Sequence, residues 1–249
     1  MIVEFIGSTG AGKTSLISEV RHKLAQSMPV TTSFDLIAEP LGLSGVTHPT
    51  AQNLIQELVA FPFFIYTLNR HWNFLVHTIK KFSRNPRFSV HTINNVRSLE
   101  RKLGMYELTK RYQRDRIVLV DEGPLLAAHM FVFAGAVLSS SEIEDFAASL
   151  PLPDLVVYVQ APTDVLIRRT LQRPDPPREM DTKNTAVTEK YVREATAIFD
   201  QLVETDAIKG RSLIVENSDA TEEEHARLVD QLACSIINRG HPIAATHKI

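Results

Sequence analysis

The sequence predicts an α/β protein: a parallel sheet of about five strands with helices on both faces. Three observations carry that expectation. Short apolar runs alternate with segments of helical spacing, the order that builds a parallel sheet with crossover helices. Several of those runs are apolar almost throughout, as strands buried on both faces are. And the first run leads straight into a glycine-rich loop and then a helix.

That opening is Met1-Ile2-Val3-Glu4-Phe5-Ile6, interrupted only by Glu4, followed by Gly7-Ser8-Thr9-Gly10-Ala11-Gly12-Lys13-Thr14, which fits G-x-x-x-x-G-K-[ST]. Helical spacing follows at Leu16, Ile17, Val20 and Leu24. Strand, loop and helix in that order are the context of a phosphate-binding P-loop, so the expected class is a three-layer P-loop NTPase fold. The glycines let backbone N–H groups turn inward onto phosphate oxygens, and the helix beginning near Lys13 directs its positive dipole end at the same anion. Gly7, Ser8, Thr9, Gly10, Ala11, Gly12, Lys13, Thr14 and Ser15 are the expected nucleotide-binding set. Lys13 would reach the β- and γ-phosphates of ATP, and the Thr14 hydroxyl would coordinate Mg²⁺.

Along the rest of the chain, residues 30–38 read as a second strand ending at Glu39-Pro40, and 41–49 as turn-rich. Residues 50–82 have helical spacing interrupted by Pro62, which predicts two helices or one kinked helix. The run Ile117-Val118-Leu119-Val120 is another buried strand, ending in Asp121-Glu122-Gly123. Residues 123–150 read as one or two helices, with Ser139 and Glu142 capping the second. A strand at 154–159, a helix at 162–171, a proline- and charge-rich stretch at 173–181, an amphipathic helix at 186–203 and a strand at 211–216 follow. A helix over 221–238, capped by Thr221 with Glu224, closes the pattern. The expected organisation is one domain over 1–240, with an insertion at about 45–115, a lid at about 168–183 and a loose tail at 241–249. Gly7, Glu39, Asp121 and Gln160 then fall at carboxyl ends of strands, where ligands of such sheets bind.

Composition narrows the setting. A formal net charge of −2 over 249 residues gives no drive toward nucleic acid or anionic membrane. Residues 80–116 nevertheless hold eleven Lys or Arg against three acids, either a solvated face or a landing surface for an anionic acceptor or acidic partner. The single cysteine, Cys234, sits in an apolar helical pattern and reads as a buried structural thiol. The strand pattern begins at once and no apolar run is long enough to span a membrane, so a cytoplasmic protein without leader or membrane contact is expected.

Three constellations carry chemistry. Asp121 and Glu122 follow a strand, where a carboxylate holds the Mg²⁺ shell in P-loop proteins; Asp121 is the metal candidate with Thr14. An Asp-Glu pair there is common in hydrolytic ATPases, the Glu orienting water, whereas small-molecule kinases more often show an acid followed by arginine. Glu39 would face the P-loop across the cleft, as a base for an acceptor hydroxyl or as an acceptor ligand, with Glu122 as its rival. Arg168, Arg169, Arg173 and Arg178 make the third; Arg169 and Arg173 are one helical turn apart and would stabilise the transferring phosphoryl group. His71, Trp72 and Asn73 are candidates for an acceptor pocket, Trp72 by stacking on a ring, although core packing is the commoner role of a lone Trp.

In this order the motifs resemble the deoxynucleoside kinase and thymidylate kinase group of P-loop kinases. Residues 7–16 are similar to that group's opening, and Ala38-Glu39-Pro40-Leu41 to its Glu-Pro motif, whose Glu acts as base in the nucleoside kinases. Asp121-Glu122-Gly123, with Phe131 and Phe133 downstream, is similar to its Glu-Arg-Ser or Asp-Arg segment, with Glu122 in place of the arginine. Tyr158, Pro162, Leu166, Arg169 and Arg173 match its strand–helix–lid pattern, and Glu189, Tyr191 and residues 213–218 its C-terminal part. Residues 41–115, where this group builds its acceptor pocket, do not match in detail. The resemblance implies Mg-ATP-dependent phosphoryl transfer to a small acceptor, a nucleoside or nucleoside monophosphate, and allows a homodimer. The readings beside it are a P-loop ATPase or nucleotide switch with a protein partner, and a kinase of a sugar or other non-nucleoside acceptor.

Overall fold

β1 (Ile2–Ile6) lies at the centre of a sheet that, among the described residues, has five strands, all parallel. β2 (Val30–Thr32), β3 (Ile117–Val120), β4 (Leu155–Gln160) and β5 (Ser212–Glu216) complete it in the order β2-β3-β1-β4-β5. The structure is a computed structural model and describes residues 1–82, 90–121, 123–133, 138–173, 185–219 and 221–240. Glu4 pairs with Val120 on one side of β1 and with Val156 on the other, and Ile6 with Tyr158. This register brings the ends of β1, β3 and β4 to one edge, where Gly7, Asp121 and Gln160 lie.

Helices cover the sheet as the alternating pattern requires. α1 (Lys13–Leu24) buries Leu16, Ile17, Val20 and Leu24 and packs beside α11 (Glu222–Gly240). A short α2 (Asp35–Ala38) precedes, among the described residues of the 45–115 region, α3 (Pro49–Thr67), α4 (Trp72–Phe82) and α5 (Val90–Tyr112). α3 and α5 cross tightly, because a Cβ at Gly104 would lie 2.3 Å from the Ala60 carbonyl oxygen. A 3₁₀ turn (Pro124–Ala127), α6 (Ala128–Phe133) and α7 (Ser140–Ser149) follow β3, and α8 (Thr163–Leu171), α9 (Thr185–Glu204) and α10 (Asp206–Lys209) lie between β4 and β5. Ser139 and Glu142 form the expected capping box of α7, and Thr221 and Glu224 bond reciprocally at the start of α11. Phe131 and Phe74 both pack on Phe146, with ring centroids 5.1 and 5.6 Å away, tying α4, α6 and α7 into the core.

Four expectations are corrected. β2 stops at Thr32, because Thr32 Oγ1 accepts the Asp35 amide (3.1 Å) and donates to its carboxylate (2.9 Å), turning the chain into α2. Leu36 and Ile37 then pack in a second apolar cluster with Ala60, Met105 and Val118 instead of extending the sheet. The 50–82 region does break into two helices, but at 68–71; α3 continues through the exposed Pro62. Cys234 is exposed, since the buried face of α11 is Val229, Leu232, Ala233 and Ile236. Trp72 is 56% exposed, neither core nor pocket, while its neighbour His71 is buried against Glu107 at 2.7 Å.

Candidate active site

The loop between β1 and α1 has a conformation that its glycines make possible. Gly10 and Gly12 have φ near +80°. A Cβ at Gly10 would stand 2.5 Å from the Leu166 carbonyl oxygen, and one at Gly12 2.4 Å from Asn217 Nδ2. Both positions therefore need glycine twice over, for backbone and for space. Gly12 is also the N-cap of α1, so the first-turn amides of that helix open onto the loop. Lys13 curls back over it, its ammonium donating to the carbonyls of Gly7 (2.9 Å) and Ser8 (3.0 Å). The Ser8 and Thr9 hydroxyls are buried without a hydrogen-bond partner, donors of the kind an anion seated in the loop would use.

Thr14 Oγ1 donates to Asp121 Oδ2 at 2.7 Å, so two residues 107 positions apart meet at the edge of the loop. A hydroxyl and a carboxylate suit a hard divalent cation. Among the described residues no group of three or more His, Cys, Asp or Glu could hold a metal alone. A cation here would take Thr14 and Asp121 as protein ligands and complete its shell with phosphate oxygens and water, as Mg²⁺ does. Glu122 lies outside the described residues, as do Arg178 and the part of the expected lid beyond Arg173.

These groups open into a cleft of about 890 Å³. Thr14, Arg21, Asp35, Asp121 and Arg173 line its near side, and Gln52, Asn53 and Gln56 of α3 with Arg101, Lys102 and Tyr106 of α5 line its far side. Glu4 is in its floor. This carboxyl is 1% exposed, accepts the Leu126 amide at 3.2 Å, and would be within 2.6 Å of a Cβ on Gly123. Burial pushes it up to about 8, against the Leu126 hydrogen bond and the charge of Lys102, which act to lower it. Glu4 thus fastens β1 to the segment that follows Asp121, and only glycine fits at 123.

Glu39 and Arg169 stand elsewhere than the sequence suggested. Glu39 caps α2 at its C-terminus and faces Arg116 at 3.7 Å; Arg116 precedes β3, so this carboxylate sits toward the opposite end of the sheet from the P-loop. The carboxylate that the turn after β2 delivers to the cleft is Asp35, held by Arg21 at 2.6 Å and by Thr32. Its signal was in the sequence: Thr32-Ser33-Phe34-Asp35 fits the [ST]-x-x-[DE] capping box. α8 ends at Leu171, so Arg169 and Arg173 do not share a helical face. Arg169 donates to the carbonyls of Asn217 (3.0 Å) and Ser218 (3.3 Å) and pairs with Asp219, which Arg168 also binds. Asn217 in turn donates to the Ala11 carbonyl at 2.8 Å. Arg169 therefore braces the outer wall of the P-loop against the loop after β5, and Arg173 alone of the two faces the cleft.

Strand order, loop conformation and the Thr14–Asp121 pair define a P-loop α/β fold. No family model matches the chain, and no curated protein matches it in sequence. Among solved structures, deoxyadenosine kinase from M. mycoides with bound dATP is 12% identical, with a TM-score of 0.48 over 95% of this chain and 100% of that one. The same enzyme with bound dCTP is 13% identical, with a TM-score of 0.46 over 94% of this chain and 100% of that one. No helix of the described residues is long and apolar enough to cross a membrane.

Proposed function

We propose that the protein transfers the γ-phosphoryl group of Mg-ATP to a small acceptor, a nucleoside or nucleoside monophosphate. The observation that carries this reading is a single cleft in which Thr14 and Asp121, beside the P-loop, share the space with a row of amide side chains on α3. Gln52, Asn53 and Gln56 can each donate and accept, which suits an acceptor with ring nitrogens and hydroxyls better than a lipid-like one. Backbone amides of residues 7–15 and the Lys13 ammonium would hold the β- and γ-phosphates. A Mg²⁺ bound by Thr14 and Asp121 would neutralise charge on their oxygens. Asp35, oriented by Arg21, would take the proton of the acceptor hydroxyl as its oxygen bonds to the γ-phosphorus and the bond to the bridging oxygen of ADP breaks. Arg173 would stabilise charge on the transferring group, with Glu122 as the second candidate for the base. Most of the rate would come from positioning and electrostatics.

The test is incubation of the protein and Mg-ATP with a panel of nucleosides, nucleoside monophosphates and sugars, read by mass spectrometry. A nucleoside or nucleotide that gains one phosphate, and does not with the Lys13→Ala variant, supports the reading. A sugar as the only modified acceptor would move the acceptor class, and equal turnover by Lys13→Ala would remove the assignment.

A further inference from the structure

Asn217, just past the end of β5, holds the phosphate loop from outside. Its residue is buried, and its side-chain amide donates to the Ala11 carbonyl at 2.8 Å. The backbone of Asn217 is fixed on both sides as well. Its N–H donates to the Gln160 carbonyl at the end of β4 (2.7 Å), and its carbonyl accepts from Arg169 (3.0 Å). Arg169 is in turn paired with Asp219 at 3.0 Å. The amide also packs directly on the loop, since the 2.4 Å approach that forbids a Cβ at Gly12 is to Asn217 Nδ2.

We propose that Asn217 is a positioning residue of the phosphate loop, aiming the Gly12 N–H at the bound phosphates. A trans peptide points its C=O and its N–H in opposite directions. With the Ala11 carbonyl drawn outward to Asn217, the Gly12 N–H of the same peptide plane faces into the loop. The preceding N–H, that of Ala11, is already turned to the Ser8 carbonyl at 3.3 Å, so the clamp acts on the next one. Glycine has the widest choice of backbone conformations, and a turn that needs it at φ near +80° cannot hold one peptide orientation by itself. A clamp from β5 supplies that constraint before the anion arrives, so the donor needs no reorganisation when it does. The role rests on the reading of the loop as a nucleotide site and not on the identity of the acceptor.

Isothermal titration of the full chain with inorganic tripolyphosphate, which has the phosphates of ATP without base or ribose, tests this. Wild type is compared with two variants that lack the donor, Asn217→Leu and Asn217→Ala, and with Lys13→Ala as the reference for the loop itself. Two donor variants are used so that misfolding of one leaves the other as the reading. Each should bind tripolyphosphate about tenfold more weakly, the effect of one hydrogen bond to a charged group, with unchanged circular dichroism. A role confined to stability would lower the melting temperature and leave the Kd of the folded chain as in wild type; that result would overturn the proposal. Binding that is lost in Lys13→Ala but kept in the folded Asn217 variants would remove the role of Asn217 and leave the nucleotide reading standing. No binding by wild type would remove both.

Discussion

At the phosphate end of the cleft the candidate groups come from one short stretch: backbone amides of residues 7–15, the Lys13 side chain and the Thr14 hydroxyl. Asp121 and Arg173 are the partners brought from afar. At the acceptor end they come from α1, the turn after β2, α3 and α5, elements far apart in the chain that only tertiary packing brings to one cleft. The first end is a local conformation, specified by glycines where a side chain has neither a backbone nor a place. The second is a consequence of tertiary structure. Substitutions should therefore act as on-off changes at the phosphate end and as graded changes at the acceptor end.

The sharpest way to break that contrast is Lys13→Ala. It should cut turnover about 10³-fold while leaving the melting temperature close to wild type, as loss of a charge-stabilising group does. Asp121→Asn should follow at about 10²-fold, with a raised Mg²⁺ requirement in a titration of rate against the cation, because Thr14 alone then remains as protein ligand. The acceptor end gives a paired comparison. Asp35→Asn should slow kcat about 10- to 100-fold, and Glu39→Gln should stay within about twofold. The reverse order would return the base to the Glu-Pro position and contradict the geometry of β2.

The smallest effect concerns the floor between the two ends. Glu4 has an ordinary value of 4.5 and about 8 in the folded chain. Between those values the folded chain keeps a proton that the unfolded chain has released. Stability from Glu4 is thus fully present below about pH 4.5 and is lost as pH rises to about 8. Melting temperatures of wild type should fall by several degrees relative to Glu4→Gln between about pH 5 and pH 8, then run parallel. A constant offset across that range would mean that Glu4 is not held neutral.

The same contrast explains what could be read in advance. Strand, loop and helix at residues 1–24, the strand before Asp121 and the two capping boxes at Ser139 and Thr221 are local patterns, and the structure has them where the letters put them. Residues 30–38 misled because Leu36, Ile37 and Ala38 are apolar in strand-like density, while the deciding hydrogen bonds are those of Thr32 to Asp35. Glu39 was carried away with that error. The parting of Arg169 from Arg173 depends on α8 ending at Leu171 and on Asp219, fifty residues further on, taking the first guanidinium. Glu4 interrupts an apolar strand and so was visible as an exception. Its partners, Leu126 and Lys102, exist only once β1 lies beside β3 and beneath α5.

The most direct measurement is the rate of ADP release from Mg-ATP with and without each acceptor that mass spectrometry identifies. Phosphoryl transfer requires release to be slow alone and to rise at least about tenfold with the acceptor, in proportion to phosphorylated product. Release at the same rate without any acceptor, abolished by Glu122→Gln and unchanged by Asp35→Asn, would contradict it and make the protein a hydrolase of ATP.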